Sequence, residues 1–341
     1  MEAVLASGAS RKLIPSLGVL LVAGGVFLLG WVSWAYWQPG PAPYQYQLVE
    51  DRGVERVAAL GLESWPDLKF ARYEIRMDGI DKPVAVAQVA RRGAAAPVVL
   101  DWDNRTGEPL LFADLRLAEL KSLSQAIVKH TSNDALLLGW WDTSRALQLL
   151  TGRETLFNAH LGEPFIAPPP WQRHRRSIVR YERDFWGAPP AEVEVRRFQR
   201  FAEALSLGAA AGAAQLRELA GDREAYVVVH VSDLYKLGLL HRERLGVAYK
   251  DFPVRGDLHG PISFVKRWMG DHHYAAYAVH ELSDSQARAY FLADARSGNT
   301  LLAQMLPLST SRPAELQALQ LVHQHGGYWV YRIPARPGSA P

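Results

Sequence analysis

Hydrophobic positions fall along the chain in three patterns: one long unbroken run, several short apolar or alternating runs, and stretches with helical spacing. The unbroken run is Leu13 to Trp37, LIPSLGVLLVAGGVFLLGWVSWAYW, without a charged residue. At about 1.5 Å per residue a helix of this length spans roughly 37 Å, more than the about 30 Å of a bilayer's hydrocarbon core. A lone segment in lipid satisfies its backbone only as a helix, and Pro15 falls in the first turn, where a missing N–H does no harm. Trp31, Trp34, Tyr36 and Trp37 gather at one end like an interfacial belt, and Arg11 and Lys12 precede the other, which places the N-terminus in the cytoplasm. A cleaved signal peptide ending near Ser33-Trp34-Ala35 competes with this reading. The apolar run is much longer than the about 7–15 residues of a secretory h-region, which favours an uncleaved anchor. The expected organisation is a cytoplasmic stretch (1–12), a transmembrane anchor (13–37), a stiff Pro-rich linker (38–43) and one exported domain (44–336).

Within that domain, Phe70–Met77 and Val84–Val89 alternate or run apolar, and Val98-Val99-Leu100 leads through Asp101-Trp102-Asp103 into the turn Asn104-Arg105-Thr106-Gly107. Leu115–His130 has helical spacing at Leu117, Leu120, Ser124, Ile127 and Val128. Leu136–Trp141 is short and apolar, the pattern of a buried strand. Asp142 then opens a helix over 143–150 that stops at Thr151-Gly152, with Asp suited to the N-cap and Gly to the C′ position. Residues 171–220 read as helical, with breaks at Gly187-Ala188-Pro189-Pro190 and near 206–212. Ala225–Val231 (AYVVVHV) is a strong buried strand, and Ser232-Asp233 caps a helix carrying Leu234, Leu237 and Leu240. The tail reads as sheet: Tyr274–His280, Ala289–Asp294, a hairpin turn at Arg296–Asn299 into Thr300–Leu306, a short helix near Pro313–Val322, and Tyr328–Ile333. The fold class is mixed α/β: one N-terminal transmembrane helix, then an extracytoplasmic α/β domain with a central helical cluster and a C-terminal antiparallel sheet.

Composition narrows the chemistry. The chain carries 38 Lys+Arg against 35 Asp+Glu, with two of those bases and one of those acids ahead of the apolar run. Such balance gives no reason to invoke nucleic acid or an acidic polymer. The absence of cysteine excludes disulfides, thiolate metal sites, iron–sulfur clusters and covalent C-x-x-C-H haem attachment. No P-loop, G-x-G-x-x-G, G-x-S-x-G or H-E-x-x-H pattern is present.

The segment with most chemical character is Gly139-Trp140-Trp141-Asp142-Thr143-Ser144-Arg145, continuing to Gly152-Arg153-Glu154-Thr155. Adjacent tryptophans on a strand point to opposite faces, so one is expected to be exposed or to line a pocket. Beside an acidic residue and free helix N–H groups, that would make a concave, polar-tipped binding site. The plainer alternative is that Asp142 only caps its helix, Trp140 fills the core and Trp141 covers an edge; spacing alone favours it.

Trp140-Trp141-Asp142, Arg153 and Thr155 resemble the W-W-D block of oligosaccharyltransferase catalytic subunits, and Ala225–Leu240 resembles a strand–helix of their extracytoplasmic domain. In that family the block grips the hydroxy residue of the acceptor sequon. Here Thr143-Ser144 replaces the family's Tyr-Gly, and the many-helix half that binds metal and lipid-linked donor has no counterpart. The likeness implies a related domain and an acceptor- or ligand-binding pocket, not the transfer reaction. Over more of its length the chain resembles the hydroxylamine oxidation protein HaoB family. The run Leu137-Leu138-Gly139-Trp140-Trp141-Asp142-Thr143-Ser144-Arg145 with Leu150-Thr151-Gly152-Arg153 carries that resemblance. It implies a bacterial inner-membrane protein with a periplasmic domain, working beside the multihaem hydroxylamine oxidoreductase of ammonia- or methane-oxidising bacteria.

The expectation is therefore a non-catalytic accessory protein that binds or helps mature that oxidoreductase and needs no cofactor. Trp140, Trp141, Asp142, Arg145, Arg153 and Lys236 are its expected recognition residues, the aromatics giving area and the charged groups polarity. The alternatives are a divergent acceptor-binding enzyme or a metalloenzyme of nitrogen oxides using His259, His272, His273 and His280. Nothing in the spacing brings those histidines, or His323 and His325, together. Arg173, Arg175, Arg176, Arg180 and Arg183 make a basic helical face that the interspersed Glu182 and Asp184 mark as ordinary solvated surface. Asp101 and Asp103 share a strand face, but the turn that follows favours capping over catalysis.

Overall fold

The structure is a computed structural model that describes residues 10–37, 40–52, 65–112, 114–187, 190–254 and 259–335. It opens with helix α1 (Ser10–Trp37), whose described side chains, 18–34, are all exposed. Among the described residues no helix is long and apolar enough to cross a membrane. The expected linker (38–43) lies partly outside the described residues.

Strands β1 (Gln45–Arg52), β2 (Leu68–Arg76), β3 (Ala85–Arg92) and β4 (Val98–Asn104) follow as a four-stranded antiparallel meander. Helix α2 (Leu117–His130) turns Leu117, Leu120, Leu123 and Ile127 inward, the spacing of one helical face. Its first turn is capped from the meander: the Leu117 N–H donates to the Asp101 carboxylate at 2.9 Å. Asp103 pairs with Arg105 at 3.2 Å, and Asn104 accepts the Thr106 N–H at 3.0 Å, so this acidic pair serves capping and turn closure.

Strand β5 (Leu136–Gly139), helix α3 (Trp141–Thr151) and the short β6 (Glu154–Thr155) form a parallel strand–helix–strand unit. Gly152 ends α3 in the left-handed region at φ 69°, as its sequence position predicts. A 3-10 turn at Pro169–His174 runs into α4 (Arg175–Trp186), then α5 (Glu192–Ser206) and α6 (Ala209–Ala220). This is the expected central helical cluster.

Strand β7 (Ala225–His230) is buried at every position and feeds α7 (Asp233–Leu240). Beyond it come β8 (Val247–Pro253), α8 (His259–Asp271), β9 (Ala276–Ser283), β10 (Gln286–Leu292), α9 (Leu301–Met305), β11 (Gln320–His325) and β12 (Tyr328–Arg332). Strands β8, β10 and β9 make an antiparallel sheet in that order. The central sheet has the order β11-β12-β7-β5-β6, parallel from β7 through β6 and antiparallel at β12 and β11.

Two expectations for the tail are corrected. The turn at 296–299 does not make a hairpin. Asp294 accepts both the N–H and the hydroxyl of Ser297, and Thr300 accepts the Ala303 N–H, so the chain passes through a 3-10 turn into α9. The apolar residues Leu301, Leu302 and Met305, compatible with either state, are buried as helix once Thr300 caps it. Residues 313–322 form only a 3-10 turn at Pro313–Glu315, and Gln320–His325 pairs with β12 as strand.

Helix α6 crosses α5 and α9 at Gly212. A Cβ there would stand 2.4 Å from the Ala204 carbonyl oxygen and 2.8 Å from Leu301 Cδ2. Gly212→Ala is expected to force these elements apart and cost about 1–3 kcal/mol, read as a lower urea midpoint.

Candidate functional site

In open α/β sheets, ligands gather outside the carboxyl ends of parallel strands. Here β5 and β7 lie side by side and parallel, and both carboxyl ends lead into polar, buried structure. Gly139 closes β5 because a Cβ would press to 3.2 Å from the Val228 carbonyl oxygen of β7. Trp140 then precedes α3, and Asp142 sits in its first turn, with one carboxylate oxygen accepting the Thr143 N–H. From the end of β7, Asp233 accepts the His230 N–H at 2.8 Å. Lys236, one turn further along α7, reaches both carboxylates: 3.1 Å to Asp142 and 3.1 Å to Asp233. Its ammonium also stands 5.6 Å over the Trp140 ring. Burial alone would pull the Lys236 pKa down, but the two carboxylates outweigh it and hold it above the usual lysine value. The charge is therefore retained in the interior.

The structure brings Asp142, Lys236 and Trp140 together, as the sequence expected, but as a packed interior. Trp140 is 1% and Trp141 2% exposed. Trp140 packs edge-on to Phe198, while Trp141 packs edge-on to His160 and donates its indole N–H to the Glu163 carbonyl oxygen at 2.6 Å. Neither ring is left for the surface, because the chain does not continue as strand past Gly139. The turn into α3 takes the alternation away, and layers lie on both sides. Arg145 is buried and donates to the Pro97 carbonyl oxygen at 2.9 Å; burial pulls its pKa down to about 10 against the opposing charge of Asp142. Arg153 donates to the carbonyl oxygens of Val128 and Thr131 at the end of α2, which cations complement at a helix C-terminus.

A second polar cluster adjoins the first through His230. The carboxylate of Glu119, from α2, lies 3.5 Å from His230 Nε2 and 3.8 Å from His280 Nε2. The two imidazoles meet edge to face at 4.8 Å, and Tyr328 lies 4.5 Å from His230. Burial opposes the Glu119 charge, but His230, His280 and the Gly327 N–H favour it and lower the pKa to about 2. Burial, helped by His230, lowers His280 to about 4. Of the candidate histidines whose side chains are described, only His280 joins a group of possible ligands. His272 stacks on Trp268 in an exposed position, His273 is exposed, and the His259 side chain lies outside the described residues. Glu119 and His230 escaped sequence reading because they stand on α2 and β7 and share no motif. The one available signal is Gly326-Gly327 opposite them, since a Cβ at 327 would sit 2.0 Å from His230 Nε2.

A third buried acid, Glu182 of α4, interrupts the basic face. It is fully buried and takes hydrogen bonds from the Tyr44 hydroxyl, the Tyr46 hydroxyl at 2.7 Å and the Trp186 indole at 2.8 Å. This corrects its expected place on a solvated surface. Burial outweighs these donors and raises its pKa to about 7.

The family model for the HaoA-associated protein HaoB matches residues 10–333. Among curated proteins, none matches the chain. Among solved structures, the C-terminal domain of C. jejuni PglB aligns at 12% identity and a TM-score of 0.35, over 63% of this chain and 99% of that one.

Two outcomes test these networks. Lys236→Met leaves Asp142 and Asp233 buried and uncompensated, with an expected cost of about 3–5 kcal/mol in urea unfolding. Glu182 is protonated more readily folded than unfolded, so its share of stability is full below the unfolded value of 4.5 and is lost as pH rises toward 7. Stability should fall by up to roughly 3 kcal/mol across that window, and Glu182→Gln should remove that part of the slope.

Proposed function

Because the chain belongs to the family of the HaoA-associated protein HaoB, we propose that it is an accessory protein of hydroxylamine oxidation that binds, or helps mature, the multihaem hydroxylamine oxidoreductase. The observation that carries this reading is the extent of the match, which begins with α1 and ends one residue beyond β12. Leading helix and folded domain thus belong to one family unit.

In this proposal α1 anchors the chain in the bacterial inner membrane, with its N-terminus in the cytoplasm and the folded domain in the periplasm. Its support is the charge-free run from Leu13 to Trp37 together with the exposure of every described side chain on the helix. A helix that is apolar all round is stable when lipid or protein surrounds it. Basic residues on one flank and tryptophans on the other give the orientation.

Trp140, Trp141, Asp142, Arg145, Arg153 and Lys236 take a positioning part in recognition. Buried side chains fix the shape of the face above β5 and β7 and do not themselves touch a protein partner. Their loss would act through the arrangement of that face.

Two measurements test the proposal. Alkaline phosphatase fused to the C-terminus of the full chain should be active in cells and green fluorescent protein at the same position dark; the opposite pattern would overturn the topology. The tagged full chain, extracted in detergent from ammonia-oxidising cells, should retain the oxidoreductase. Trp141→Ala and Asp142→Ala should lower the retained amount severalfold. Failure of the unaltered chain to retain it, or to affect its maturation when deleted, would sink the accessory role.

A further inference from the structure

We infer that Glu119, His230 and His280 form a binding site for one divalent first-row transition-metal ion, each side chain supplying one ligand atom. No part of the accessory proposal requires such a site, and it stands or falls independently. The three side chains come from α2, the end of β7 and β9, and only folding brings them together.

Geometry is the first support. The three ligand atoms all lie within 4.8 Å of one another. Ligands 2.0–2.1 Å from a tetrahedral ion stand roughly 3.3 Å apart. The Glu119 carboxylate stands 3.5 Å from His230 Nε2 through Oε2 and 3.8 Å from His280 Nε2 through Oε1, so an ion would draw both rings in toward one of these oxygens.

Unsatisfied polarity is the second. His230 is 2% and His280 5% exposed, and Nε2 of each has no hydrogen-bond partner. Buried imidazole nitrogens without partners are costly unless something else engages them. A metal ion would engage both.

Third, orienting contacts surround the ligands, as metal sites require. Glu119 Oε2 accepts the Gly327 N–H at 3.1 Å, which fixes the carboxylate. His230 Nδ1 accepts the Ser232 N–H at 3.2 Å and lies 2.7 Å from Ser232 Oγ, which together orient the ring. In this arrangement Nε2 carries the ring proton, so ligation by Nε2 moves that proton to Nδ1, with Ser232 Oγ in reach as its acceptor. Gly326 and Gly327 keep the space open: a Cβ at 326 would stand 2.7 Å from Glu119 Cδ, and one at 327 would drive into the His230 ring.

Two imidazoles and one carboxylate suit zinc, cobalt(II) or iron(II), and three protein ligands leave at least one position for an exchangeable molecule. The test uses full-length protein in detergent, purified without a histidine tag and stripped with chelator. Cobalt(II) should bind at about one equivalent and give visible d–d bands, which zinc then displaces. Glu119→Gln and His280→Asn should lower affinity at least tenfold, and Ser232→Ala, which removes an orienting contact but no ligand, by about 10–100-fold. His272→Ala with His273→Ala should change nothing. Zinc should also raise the thermal midpoint of the unaltered chain, a readout that needs no variant to fold. Absence of stoichiometric cobalt binding and of a thermal shift, or loss of binding in the His272/His273 variant instead, would overturn the site.

Discussion

The interaction on which the interior depends is the ion triad of Lys236 between Asp142 and Asp233. Each member comes from a segment that leaves a central strand at its carboxyl end. Desolvating three charges is expensive, and their attraction offsets that cost only when every contact is made at short range. The triad therefore fixes where α3 and α7 begin relative to β5 and β7, at the place in the sheet where strand order leaves room for polar groups. A net-apolar replacement of all three would pack without that constraint. What the charges add is register: neither helix can slide by a turn without stranding a buried ion.

From Asp233 the network passes through the His230 backbone to the histidine ring, and from there to Glu119 and His280. This links the W-W-D segment, the strand–helix at 225–240 and the last hairpin in one connected polar interior. The glycine pair at 326–327 belongs to it by necessity, since the hairpin turn lies directly against Glu119 and His230. In the same way Glu182 gathers Tyr44, Tyr46 and Trp186, tying the start of the folded domain to the helical cluster. Tyr44 and Tyr46 are thereby held by a buried acid within an aromatic cage.

These arrangements bear on function. A partner meets surfaces, and the residues that give the sequence its family character are buried beneath one. In the proposed association their contribution would be the rigidity and shape of the carboxyl-end face. His230, at the carboxyl end of β7, joins this framework to His280 on β9.

By itself the sequence determined most of the local structure. Helix α2 follows from apolar spacing at Leu117, Leu120 and Ile127, α3 from Gly152 at its end, and β7 from an apolar run bounded by Ser232-Asp233, because these signals act within a few residues of the backbone they govern. Asp142, Lys236 and Trp140 were also legible as a group, though not as a buried one. Burial depends on which layers cover a segment, and the turn after Gly139 removed the alternation that predicted an exposed tryptophan. The run at 300–306 and Gln320–His325 were ambiguous for the same reason: helix and strand were both open until a cap at Thr300 and a partner strand at 328–332 chose between them. Glu119 and His230 could not be paired in one dimension, where Gly326-Gly327 marks a close approach but not its partners. They are 111 positions apart with no shared motif, and only the packing of α2 against the last hairpin, made possible by Gly326 and Gly327, brings a carboxylate and two imidazoles to one point.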